Sequence, residues 1–294
     1  MRRLVLIALA MAGALLGGAS AMAHERKEQL MDGRLLQRED LAYRFSSFDL
    51  DSADGQRHYR VWLGQPKAAA PATGYPVLWM LDGNAAIGVL DAALLQRLAE
   101  GSAPLLVALG YQTPLRIERQ ARVFDYTPPR DGQVGLADAF TGEATGGADI
   151  FLDLFEQGLR PQVARRVAFD AKRQTLWGHS YGGLLVLRAL FSRPQLVGSY
   201  VAASPSLWWA GDALLAGRKA APVGTALLLT RGSAEVRKGA GEQPSGEQAL
   251  AALAAELRAD GLPVELKTFP GLDHGPAFAA SLRYLLESRF ATQP

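Results

Sequence analysis

Residues 174–188 read QTLWGHSYGGLLVLR. The opening residues are apolar and suit a buried strand. Gly178-His179-Ser180-Tyr181-Gly182-Gly183 follows, and Leu184, Leu185, Leu187 and Leu190 then recur at helical spacing. A serine between glycines, at the hinge from strand to helix, is the pattern of a nucleophile elbow: a tight turn that presents the hydroxyl in a strained backbone conformation. Gly178 and Gly182 carry no Cβ, so strand and helix can approach closely. The helix begins directly behind Ser180, and its positive dipole end and N–H groups face the hydroxyl. G-x-S-x-G is short and recurs by chance. The strand before it and the helix after it distinguish a catalytic Ser180 from a serine that merely caps a turn.

Outward from the elbow, the chain alternates strand and helix patterns. Residues 41–50 and 58–63 read as two strands joined by a turn at 51–56, with Asp54-Gly55 suited to positive φ. The second alternates, as a half-exposed strand would. Residues 75–81 (YPVLWML) are a near-continuous apolar run, the mark of a central strand buried on both faces. A Leu-rich helix is expected at 85–99, a strand at 104–109 and a crossover helix at 150–163. After the elbow come strands at 198–203, 225–230 and 264–269, and helices at 248–261 and 277–290. This is the order of an α/β fold, here an α/β-hydrolase fold with a mostly parallel central sheet and helices on both faces. Residues 110–147 carry no clear periodicity and read as a long functional loop.

The order of a hydrolase triad is serine, acid, histidine. The chain has four histidines: His24, His58, His179 and His274. His274 alone lies in a loop after a late strand, so it is the expected general base for Ser180. His179 adjoins the serine, and its side chain is expected to point elsewhere. Asp273 is read as shaping the loop. Glu235, just after the strand at 225–230, is the candidate acid, with a competing surface salt bridge to Arg237 and Lys238. An oxyanion needs two N–H donors, one from Tyr181 and one from an early strand-to-helix loop. Asn84, in Asp82-Gly83-Asn84 after the strand at 75–81, is the expected second donor. Arg119, Arg122 and Arg130, set among Tyr111, Phe124 and Tyr126, suit an anionic aromatic substrate. Trp208 and Trp209 either wall that pocket or pack beneath the loop.

Composition narrows the remainder. Arg2-Arg3, an apolar stretch at 4–16 too short to span a membrane, and Ala21-Met22-Ala23 together resemble a cleaved export signal at 1–23. One domain at 24–294 and a periplasmic location are expected. Without Arg2 and Arg3 the basic count falls from 31 to equal the 29 acidic residues, so no nucleic-acid partner is expected, nor a membrane one after cleavage. There is no cysteine, which excludes disulfides, thiolate metal sites and a cysteine nucleophile. No metal site and no cofactor are expected.

Eight segments then carry a resemblance: YPVLWMLDGNAA (75–86), GY (110–111), R-x-x-DYTPPR (122–130), GGADIFLDL (146–154), WGHSYGGL (177–184), SPSLWW (204–209), GSAE (232–235) and DHG (273–275). The chain resembles the "Putative esterase" (esterase D-like) family of α/β hydrolases, most of all its periplasmic siderophore esterases, the trilactone hydrolases of enterobactin and salmochelin. The resemblance implies hydrolysis of a catecholate siderophore lactone through an acyl-enzyme, with Ser180 and His274 as nucleophile and base and Asn84 in the oxyanion loop. Iron would enter only as part of the substrate. Members differ in whether a third acid is used, which leaves Glu235 open. Two rivals stay open: an exported esterase for other acyl or feruloyl esters, and a siderophore-binding protein without activity.

Overall fold

The computed structural model describes residues 28–130, 132–138, 141–209, 214, 218–236 and 246–291. The expected export segment at 1–23 and the pair Arg237 and Lys238 lie outside the described residues. Eight strands form one sheet: β1 (Tyr43–Asp51), β2 (His58–Pro66), β3 (Tyr75–Met80), β4 (Leu105–Tyr111), β5 (Phe169–His179), β6 (Ser199–Ala203), β7 (Ala226–Gly232) and β8 (Val264–Phe269). Their order is β1-β2-β4-β3-β5-β6-β7-β8. β1 and β2 pair antiparallel, as do β2 and β4, and all later pairings are parallel.

All six residues of β3 are buried. Their alternation sends Val77 and Trp79 into one core and Leu78 and Met80 into another on the opposite face. Helices α3 (Arg119–Tyr126), α4 (Ala148–Asp153), α5 (Arg160–Ala164), α6 (Tyr181–Ser192) and α7 (Gly246–Ala259) cover the first face. Helices α1 (Gly83–Ile87), α2 (Ala92–Glu100) and α8 (His274–Arg289) cover the second. Two covered faces explain why the central strands read as unbroken apolar runs.

The structure departs from the local patterns in four places. The helix expected at 85–99 is two helices, and Asp91 starts the second by accepting a hydrogen bond from Leu94 N–H at 2.8 Å. The loop at 110–147 contains α3, begun by the Glu118 carboxylate on Ala121 N–H at 2.5 Å. β2 is not half-exposed: Val61 to Gly64 are all buried, because β2 lies between β1 and β4 under helical cover. The helix at 150–163 passes through a π-helical stretch, Leu154–Leu159, between α4 and α5.

Candidate active site

Successive strands leave β3 in one direction to β4 and in the other to β5, so the strand order reverses between the carboxyl ends of β3 and β5. Such a switch point is where open α/β sheets form ligand sites. The three non-glycine residues with positive φ among the described residues sit at this edge: Asp82 after β3, Ser180 after β5 and Ser204 after β6. Backbone strain of this kind persists only where the surrounding structure enforces it.

Ser180 has φ 61° and ψ −118° and leads directly into α6. The turn is held by hydrogen bonds from Ser180 N–H to Ala203 O at 2.9 Å and from Ser206 N–H to Ser180 O at 3.2 Å. Gly178 is required here, since a Cβ on it would stand 2.5 Å from Gly182 O.

Three side chains from three separate segments, Ser180, His274 and Glu235, meet in line at this edge. Ser180 Oγ lies 3.0 Å from His274 Nε2. His274 Nδ1 lies 3.0 Å from Glu235 Oε2. Glu235 Oε1 accepts hydrogen bonds from Gly232 N–H at 2.7 Å and from Ser204 Oγ at 2.6 Å. Burial pushes the Glu235 carboxyl up, but these bonds outweigh it and hold the group down at about 2. The base is not on a loop, as expected from sequence, but is the first residue of α8. His179 does not point away. Its buried ring stacks on the ring of His274, with centroids 4.5 Å apart.

Asn84 lies in the first turn of α1 and Tyr181 in the first turn of α6, where backbone N–H groups lack intrahelical acceptors. Among the described residues neither N–H has a hydrogen-bond acceptor. The Asn84 side chain fixes the loop: Nδ2 donates to Tyr111 O at 3.2 Å and Thr113 O at 3.0 Å, and Oδ1 accepts from Tyr111 N–H at 2.9 Å. A Cβ on Gly110 would collide with this amide, at 2.0 Å from Oδ1.

The arginines separate. Arg122, expected among the substrate contacts, is turned inward and buried. Its Nε and Nη2 donate to the two oxygens of buried Asp82 at 2.7 and 2.9 Å; burial opposes the guanidinium's charge, but the Asp82 carboxylate outweighs it and keeps the group charged. It therefore braces the strained Asp82 turn. Arg119 is exposed at the start of α3. The Arg130 guanidinium stacks 3.8 Å from the ring centre of Trp209. Trp209 is buried and belongs to the core, whereas Trp208 is partly exposed and packs beside Trp209 and Tyr181, each at 5.9 Å. Tyr181 OH donates to Asp138 Oδ2 at 3.1 Å, tying residues 127–147 to the elbow. Among the described residues no cluster of His, Asp and Glu could hold a metal.

Asp82, Asp138, Ser204 and His179 were not expected as site residues. Asp82 and Ser204 share one signal in the sequence: each follows a buried strand at its carboxyl end. His179 and Asp138 carry none.

The sequence profile of the "Putative esterase" family matches residues 52–283. The chain belongs to that family. This esterase is 38% identical over 252 residues to the apo-salmochelin esterase of Escherichia coli O6:H1, covering 83% of this chain and 78% of that one. It is 33% identical over 171 residues to the ferri-bacillibactin esterase BesA of Bacillus subtilis, covering 54% and 57%. Among solved structures, the enterobactin hydrolase IroE in complex with DFP superposes on the esterase with a TM-score of 0.75 at 37% identity, covering 88% of this chain and all of that one. The α/β-hydrolase fold read from the elbow is the fold of these relatives.

Proposed function

We propose that this esterase hydrolyses the lactone esters of a catecholate siderophore through a serine acyl-enzyme. The hydrogen-bonded line Ser180–His274–Glu235 carries the reading. His274 Nε2 takes the Ser180 proton as Oγ attacks the ester carbonyl. Glu235 holds Nδ1–H and stabilises the imidazolium that forms. The N–H groups of Tyr181 and Asn84 receive the oxyanion, each contributing about 10²–10³ in turnover. His274 then protonates the leaving alkoxide. Water, deprotonated by the same imidazole, releases the acid.

The substrate class is inferred from the relatives and from the surface beside Ser180. Arg130 stacked on Trp209 and the partly exposed Trp208, both tryptophans packed on Tyr181, suit an anionic aromatic ring, by charge-assisted hydrogen bonds and stacking. Iron would enter only as part of the substrate. The residues at 1–23 have the pattern of an export signal, which fits work in a periplasm. Among the described residues no helix is long and apolar enough to cross a membrane.

Mass spectrometry of enterobactin incubated with the wild type and with Ser180→Ala tests the proposal. The wild type is expected to give the linearised and shorter hydrolysis products, each heavier by the water added at a cut ester, and the variant to leave the trilactone intact. Faster turnover of feruloyl or short acyl esters than of enterobactin would transfer the assignment to the rival substrate class. Cleavage by Ser180→Ala at the wild-type rate would overturn the mechanism.

A further inference from the structure

His179 precedes the nucleophile, is only 6% exposed and takes no part in the proton transfers above. Its Nε2 has no hydrogen-bond partner. Leaving a buried polar atom unpaired is unfavourable, so an apolar side chain would suit the position better if it served only as packing. What the ring does contact is the base. The His179 ring lies tilted against that of His274, 4.5 Å between centroids with planes inclined by 43°. On its other side it meets the edge of Phe278 at 5.4 Å, one turn further along α8. The His274 ring must point one nitrogen at Ser180 and the other at Glu235, and a ring turned about its Cβ–Cγ bond loses both contacts. His274 itself is about half exposed, so little else encloses it.

We propose that His179 is a positioning residue for the base: its ring is the wall that sets the plane of the His274 imidazole. The inference rests on the Ser180–His274 reading given above. His179 does this as a neutral ring. A charged ring would carry a second N–H at Nε2 with nothing to accept it. Burial, then the nearby charge of His274, hold its basicity well below the usual histidine range. Of the charged groups that face it, Glu235 favours its protonation, while His274 and Arg122 oppose it. A neutral π-face against His274 also attracts the imidazolium that forms there during each turnover.

Steady-state kinetics of His179→Ala and His179→Phe on a chromogenic ester, with thermal melts of both, test the proposal. His179→Ala is expected to lower kcat about 10–100-fold while KM stays within about twofold, as a base misplaced by a fraction of an ångström would. His179→Phe restores the wall without a nitrogen and is expected to keep kcat within about threefold, with an unshifted pH–rate profile, because the residue it replaces does not titrate in the working range. Wild-type kcat in His179→Ala would overturn the proposal. So would a fall in a well-folded His179→Phe, or a shift in its pH profile. If His179→Ala does not fold, His179→Phe alone decides by the same criteria. Ser180→Ala separates the two levels: full activity there removes the mechanism itself, whereas no activity there with full activity in His179→Ala removes only this inference.

Discussion

Replacing Glu235 by glutamine changes one atom and should nearly silence the enzyme. Glu235 Oε1 accepts two hydrogen bonds, from Gly232 N–H at 2.7 Å and from Ser204 Oγ at 2.6 Å. A glutamine keeps both only by placing its carbonyl oxygen there. Its NH₂ then stands where Oε2 was, 3.0 Å from His274 Nδ1. A donor in that place forces Nδ1 to be the acceptor and moves the ring proton to Nε2. That nitrogen faces Ser180 Oγ at 3.0 Å and can no longer take its proton. A tautomer locked in this way lowers kcat about 10⁴-fold in a serine protease triad, about 5.4 kcal/mol of transition-state stabilisation. KM should change little, because the contacts that bind substrate are untouched. The assay is the steady-state rate on enterobactin or a chromogenic ester, with a thermal melt as control. A Glu235→Gln protein within tenfold of the wild type would refute the reasoning and leave a working Ser–His pair. Stability supplies a second readout. The Glu235 carboxyl titrates at about 2 in the folded protein, below its ordinary value of 4.5. A depressed folded value means that the ionised group stabilises the native state above the unfolded value. That stabilisation is lost as pH falls from about 4.5 through about 2. Glu235→Gln removes this component, so the acid side of its denaturation curve should be flatter.

Three further outcomes follow from the same geometry. Arg122→Met leaves Asp82 charged and buried without its partner, and should destabilise the fold by about 3–5 kcal/mol in urea denaturation; Asp82→Asn added to it should recover part of the loss. Asn84→Ala removes three hydrogen bonds between the oxyanion loop and residues 111–113, and should lower kcat about 10²-fold while costing about 1–3 kcal/mol of stability. Arg130→Ala should raise KM for a catecholate ester several-fold and leave a neutral short-chain ester unaffected, since only the former offers charge to the guanidinium; equal effects on both would show that Arg130 serves the fold through Trp209.

The elbow at Ser180 and the buried strands were legible in the sequence because each depends on residues close along the chain. A strand buried on both faces must be apolar throughout, and a tight strand-to-helix turn needs glycine where a Cβ would strike backbone. Such patterns report how each segment is surrounded, residue by residue, and chain order was enough to single out His274 and Glu235. Whether the three side chains touch was for the strand order of the sheet to decide. His274 and Ser180 are 94 residues apart, and their contact exists because β5 to β8 lie side by side and in parallel, which brings their carboxyl ends to one edge. The same assembly turned Arg122, read among the substrate-facing arginines, inward onto Asp82 and laid His179 against the base. Neither could be read locally, because the partner of a buried charge or ring lies on another element. Local pattern and chain order named Ser180, His274, Glu235 and Asn84; tertiary packing chose which of them meet and added Asp82, Ser204 and His179 beside them.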